Sequence, residues 1–174
     1  GNNNLGTTGL AWNASLMALK FLDANNNGFT SDAVRAINYA TMMRSEHGIN
    51  VRAINNSYTG ELSEALEGAI AATTAADILF VTAAGNGNAL GRGYDIDADP
   101  IYPASIPASN TIVVGASGQF VELARFSNYG QNTVDLLAPG VGILSTVPAY
   151  RGSYASLTGT SMAAPLVTGT AALI

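Results

Sequence analysis

The sequence has 174 residues, of which 48% are hydrophobic and 11% charged, with a formal net charge of −5 and no cysteine. A chain of that length makes one domain burying about two-thirds of its unfolded surface, and this composition excludes a disordered protein. The missing cysteine excludes disulfides and thiolate chemistry, the acidic balance without a basic cluster speaks against nucleic-acid binding, and no apolar run is long enough to cross a membrane.

Residues 15–22 (Ser-Leu-Met-Ala-Leu-Lys-Phe-Leu) form an apolar run of strand length. An Asn/Gly turn over 23–28 follows, and Thr30 or Ser31 is expected to cap a helix with Ala33, Ile37 and Ala40 on one face, stopped at Gly48. Residues 51–55 are predicted as a second strand. Thr59 and Gly60 open a second helix with Glu61 and Glu64 in its first turn and Leu62, Leu66, Ala69 and Ile70 facing inward. Residues 78–83 are nearly all apolar, as in a parallel strand covered on both faces. A polar, glycine-rich loop spans 85–100. Strands over 111–116 and 134–137, a Pro139-Gly140 turn and a final helix after Gly159 complete the chain.

This order of strands and helices predicts an α/β fold of three layers, a mostly parallel central sheet with helices on both faces. Ligands bind beyond the carboxyl ends of such strands, which puts 57–60 and 83–86 on one edge of the sheet. The first residue is Gly1 and an apolar helix runs to Ile174 without a stop signal, so the chain is expected to be a domain truncated at both ends.

Residues 157–165 read Leu-Thr-Gly-Thr-Ser-Met-Ala-Ala-Pro. A serine between a glycine turn and a run of small helical residues lies where helix amides are unpaired and the dipole is positive. Pro165 is expected within the first turn, where a missing N–H is harmless. Taken alone, the segment describes a Ser or Thr helix cap more readily than a nucleophile, since caps are far commoner. Asn86, after Ala83, Ala84 and Gly85, offers a side-chain N–H at a strand end, although Gly-Asn is also an ordinary turn. Glycines at 85, 87, 91 and 93 suggest a dinucleotide loop, but no helix follows them, and that reading is discounted.

Asp23, Asn25, Asn27 and Gly28 imitate half of a helix–loop–helix calcium loop whose twelfth position is Val34 rather than glutamate. Asp95, Asp97 and Asp99 do not match that loop either, yet three alternate carboxylates leave a hard-cation site open. His47 is the only histidine and sits at a helix end, where a surface cation is the simpler reading, so it is not expected to be catalytic.

Together these runs resemble the subtilisin-like serine peptidases, the subtilases. The segment 159–165 is similar to the family's nucleophile signature, and 83–86 to its oxyanion-asparagine segment. Tyr102-Pro-Ala-Ser105, Phe126-Ser-Asn-Tyr-Gly130 and Leu137-Ala-Pro-Gly140 recur in the family's order, and Ile54-Asn-Asn-Ser57 resembles its substrate-pairing strand. Ala163 stands where the α/β-hydrolase elbow has its second glycine.

The resemblance implies a serine endopeptidase in which Ser161 attacks the scissile carbonyl, with Asn86 and the Ser161 N–H holding the oxyanion. It implies that Ser57, Tyr58, Thr59, Gly60, Ala83, Ala84 and Gly85 line the primary specificity pocket. An extended protein or peptide substrate would pair along the Ser57 edge. The family's Asp and His would precede this sequence, so the chain alone is expected to be inactive. It implies structural calcium in the full-length domain, here through Asn3, with Gly1, Leu5 and Thr7 offering carbonyls. Secretion, a propeptide and a monomeric state are implied by the family only. Thr59 replaces a usual glycine beside the substrate strand, and Leu166 a common histidine after the motif's proline. The rivals are a non-catalytic subtilase relative used for binding or scaffolding, and a nucleotide-binding α/β domain.

Overall fold

A computed structural model describes residues 4–174 of the chain. Its elements are α1 (Thr30–Ser45), β1 (Ala53–Asn56), α2 (Glu64–Ala75), β2 (Leu79–Ala83), β3 (Thr111–Ser117), β4 (Leu136–Pro139), β5 (Ile143–Thr146), a 3-10 turn (Ala149–Arg151), β6 (Tyr154–Leu157) and α3 (Thr160–Ala171). Strands β1 to β4 pair in chain order and all parallel, with Ala53 opposite Leu79, Phe80 opposite Thr111 and Val114 opposite Leu136. Side chains alternate faces along a strand, and β2 shows the consequence. Phe80 packs with Ile37, Leu66, Ala69 and Ile70 of α1 and α2, while Val81 and Ala83 pack with Ala163 and Ala164 of α3. The expected three-layer α/β arrangement with helices on both faces is therefore present.

Small residues set the layer spacing on the α3 side. Ala83, Ala116, Ala138, Ala163 and Ala164 are all buried, which lets the helix lie close over the carboxyl half of the sheet. On the other face Ser63 caps α2, its hydroxyl accepting from the Leu66 N–H.

Several expected boundaries shift for physical reasons. Residues 15–22 form no strand: they have no partner strand among the described residues, and Leu16 is 96% exposed. α1 takes Thr30 as its first helical residue, so neither Thr30 nor Ser31 caps it, and Phe29 at the cap position makes no side-chain bond. α2 starts at Glu64 rather than after Gly60, because Gly60 is engaged in a bridge with Tyr102, and Leu62 stays 47% exposed. β4 begins at Leu136, since Asp135 uses its carboxylate to accept from the Val113 N–H. The β5–β6 hairpin is antiparallel and was not expected, its strands being four residues each and mostly exposed.

Candidate active site

The carboxyl ends of β1 and β2 converge on the N-terminus of α3, which Thr160 fastens from two sides. Its N–H and its hydroxyl both donate to Asn86 Oδ1, at 2.8 and 3.0 Å. Its Oγ1 also accepts from the Gly85 N–H at 3.1 Å. Because donors occupy Oδ1, the sense of the Asn86 amide is fixed and its Nδ2 is left to donate elsewhere.

Gly159 and Gly85 make this approach possible. Gly159 has φ 156°, and a Cβ there would lie 3.3 Å from Asn86 Nδ2. Gly85 has φ 89°, and a Cβ would meet Asn128 Nδ2 and Ile101 Cδ1 at 2.6 Å.

Ser161 is the second residue of α3 and is half-buried. First-turn amides have no partner within a helix. The Thr160 N–H goes to Asn86 and that of Met162 to the Gly159 carbonyl, whereas the Ser161 N–H has no partner among the described residues. Ser161 Oγ donates to the Ser57 carbonyl at 3.4 Å, and Ser57 Oγ donates to the Ser161 carbonyl at 3.1 Å.

Pro165 is not in the first turn as expected; it is the sixth residue of α3. Its N–H would have served the carbonyl four residues back. That carbonyl belongs to Ser161, and it is the one Ser57 Oγ serves. Asn55 Nδ2 in turn donates to Ser57 Oγ at 3.0 Å, while Asn55 Oδ1 accepts from Thr168 Oγ1 at 3.1 Å. Asn55, Thr160 and Thr168 are hydrogen-bond partners at this junction that sequence reasoning passed over. For Asn55 the available signal was its position two residues before Ser57, on the same strand face.

The other expected pocket residues divide. Ser57 and Gly85 stand at the site. Ala83 and Ala84 are buried in the core, packed respectively against α3 and against Ile96, Ala104 and Val113. They contribute backbone, not an apolar wall. Gly60 donates its N–H to the Tyr102 carbonyl at 2.8 Å, which withdraws it from pairing with a substrate. Thr59 is exposed, and the rings of Tyr58 and Phe21 meet edge to face, with centroids 4.8 Å apart. Burial pushes the Tyr58 hydroxyl up to about 12. A cavity of about 810 Å³ opens between residues 18–23 and α1, and none of the candidate site residues lines it.

His47 is remote from Ser161. It follows α1, whose Arg44 reaches the carbonyls of Val51 and Ala76, just before β1 and β2 begin. Ser57, Asn86 and Ser161 lie beyond the opposite ends of those strands.

The proposed cation sites fare differently. Gly1 and Asn3 lie outside the described residues, Leu5 is exposed and Thr7 half-buried. Among the described residues no three His, Asp or Glu side chains come together to hold a metal, so Asp95, Asp97 and Asp99 do not form the cation cluster left open above. Asp97 is instead a staple. It accepts from the Asn132 N–H and Nδ2 and from the Thr133 N–H, at 2.9–3.0 Å. Hydrogen bonds from Thr133, and then from Asn132, hold its carboxyl below the usual carboxylate range.

The Subtilase family profile (Peptidase S8) matches residues 1–174. The chain belongs to the subtilase family. It is 38% identical over 175 residues to an alkaline protease of Alkalihalobacillus alcalophilus, covering 99% of this chain and 41% of that protein. It is 34% identical over 172 residues to Subtilisin-like protease 2 of Plasmodium falciparum, covering 99% of this chain and 12% of that protein. Among solved structures, a cold-adapted subtilisin-like serine proteinase superposes with a TM-score of 0.72 at 32% identity, over 88% of this chain and 50% of that one. This subtilase chain thus spans half or less of the length of these relatives.

Proposed function

We propose that this chain is the nucleophile-bearing part of a subtilisin-like serine endopeptidase, hydrolysing peptide bonds through an acyl-enzyme on Ser161. The observation that carries the reading is the junction of Asn86 with the first turn of α3. Thr160 immobilises the Asn86 acceptor, so Nδ2 and the Ser161 N–H remain as donors for the charge that develops on a carbonyl oxygen. Attack by Ser161 Oγ forms the bond to the scissile carbon, and the hydroxyl proton must pass to a base. The sole histidine lies at the other end of the sheet, so that base and its orienting carboxylate come from outside this sequence, and the chain alone is inactive.

Substrate runs along the Ser57 edge in extended form. Calcium, where bound, would be structural; the described residues supply only the Leu5 and Thr7 carbonyls from the expected set, and no catalytic step uses it.

A serine-directed phosphonate tests the assignment. The full-length protein should be labelled at Ser161 and its Ser161→Ala variant should not, while the 174-residue chain should be labelled no more than its own Ser161→Ala control. Strong specific labelling of the isolated chain would show that another residue supplies the base. An unlabelled full-length protein would favour a non-catalytic binding or scaffold relative.

A further inference from the structure

We propose that Asn55 and Ser57 form a positioning pair that supplies to α3 the hydrogen bond Pro165 cannot make, and thereby fixes Ser161. The catalytic consequence rests on Ser161 being the nucleophile; the structural coupling does not.

A helix carbonyl is ordinarily served by the N–H four residues on, and proline has none. The Ser161 carbonyl would be left without that donor at the turn that must be held most firmly. Ser57 Oγ takes the vacancy at 3.1 Å. A serine hydroxyl has one hydrogen and two acceptor sites. Because Asn55 Nδ2 donates into Ser57 Oγ, the single hydrogen is directed at α3. Asn55 Oδ1 faces the Thr168 hydroxyl, whose single hydrogen is shared between Asn55 Oδ1 and the Ala164 carbonyl, each at 3.1 Å. Thr168 and Ser161 lie two turns apart on one face of α3. The chain of bonds therefore leaves α3 at Thr168, passes through Asn55 on β1 and Ser57 just beyond its end, and returns to α3 at Ser161. It holds the first turn in register with the strand end, and so sets where Ser161 Oγ points. Asn55 and Ser57 act through Ser161, and the Ser57 hydroxyl is separate from the Ser57 carbonyl that faces the Ser161 hydroxyl.

The test is a double-mutant cycle in the full-length protein, comparing Ser57→Ala, Pro165→Ala and the combined variant. Pro165→Ala restores an N–H for the Ser161 carbonyl. Ser57→Ala should lower kcat by about fivefold to tenfold with KM nearly constant, as expected for one hydrogen bond to a part-buried acceptor. In the Pro165→Ala background the same substitution should cost less than about twofold, because the carbonyl has regained its donor. Asn55→Leu should reproduce the kcat loss in part, and Ser57→Thr, which keeps the hydroxyl, should recover most of it. Equal losses in both backgrounds, or a change confined to KM, would overturn the proposal. Urea midpoints of the four proteins give a readout independent of activity. Coupling there without hydrolysis or phosphonate labelling would uphold the Ser57–Pro165 exchange while refuting the peptidase reading. Should Ser57→Ala not fold, the Asn55→Leu and Pro165→Ala pair carries the same cycle.

Discussion

Ser57 and Ser161 exchange hydrogen bonds, each hydroxyl donating to the other's main-chain carbonyl, at 3.1 Å from Ser57 and 3.4 Å from Ser161. The shorter bond holds the helix turn, and the longer is the weaker of the two. A nucleophile should keep its own hydroxyl loosely held in this way, free to turn toward a base when one is present.

Asn86 has two separable duties, acceptor for Thr160 and free donor through Nδ2. In the full-length protein Asn86→Ala should lose both, lowering kcat by about 10²–10³, a magnitude borrowed from subtilisin itself, and also lowering thermal stability. Asn86→Asp keeps the acceptor and loses the donor. It should retain most of the stability while losing comparable kcat. Steady-state kinetics beside a melting curve checks the split, and equal stability loss in both variants would contradict it.

Tyr58 should ionise near pH 12, because burial disfavours its phenolate. Its raised value means that folding favours the protonated phenol. The associated stability is complete below the ordinary value of 10 and is lost as pH rises from there through about 12. Tyr58→Phe should remove the step near pH 12 from an ultraviolet phenolate titration and flatten the alkaline loss of stability. The Tyr58 hydroxyl is also buried without a partner among the described residues. At neutral pH the variant should therefore be as stable as the parent, or more so by about 1 kcal/mol.

Asp97 sets an acid limit. Its value is lowered from 3.8, so its contribution is present above that value and disappears as pH falls through the lower, folded one. Urea midpoints measured from about pH 5 down to about pH 2.5 should fall less steeply for Asp97→Asn than for the parent. Identical slopes would show that the bonds to Asn132 and Thr133 add nothing to the fold.

The sheet was legible in the sequence because its strands carry strong one-dimensional signals. The apolar stretch ending at Ala83 and the one from Thr111 are buried on both faces and announce themselves. Residues 15–22 gave the same signal falsely, since an apolar run becomes a strand only when a neighbour completes its hydrogen bonds. The β5–β6 hairpin was missed because its strands are short and exposed and lack a tight two-residue turn. At the site, resemblance to the subtilase motifs named Ser161 and Asn86, while the service of Ser57 to the helix stayed hidden. That relation depends on where α3 begins, and the position of Pro165 relative to that start cannot be counted from composition. Ala83 and Ala84 show the converse: adjacency to Asn86 suggested a pocket wall, but strand alternation and close helix packing sent their methyl groups into the core.

The bonds that assemble the site join residues 104 positions apart between Ser57 and Ser161, and 74 apart between Asn86 and Thr160. Closing loops of that length costs chain entropy before any contact returns it. The turn bearing Ser161 is therefore expected to come together late in folding, after the β1–α2–β2 unit has local contacts to build on. A destabilised chain would surrender this junction early, losing its chemistry while much of the sheet still stood.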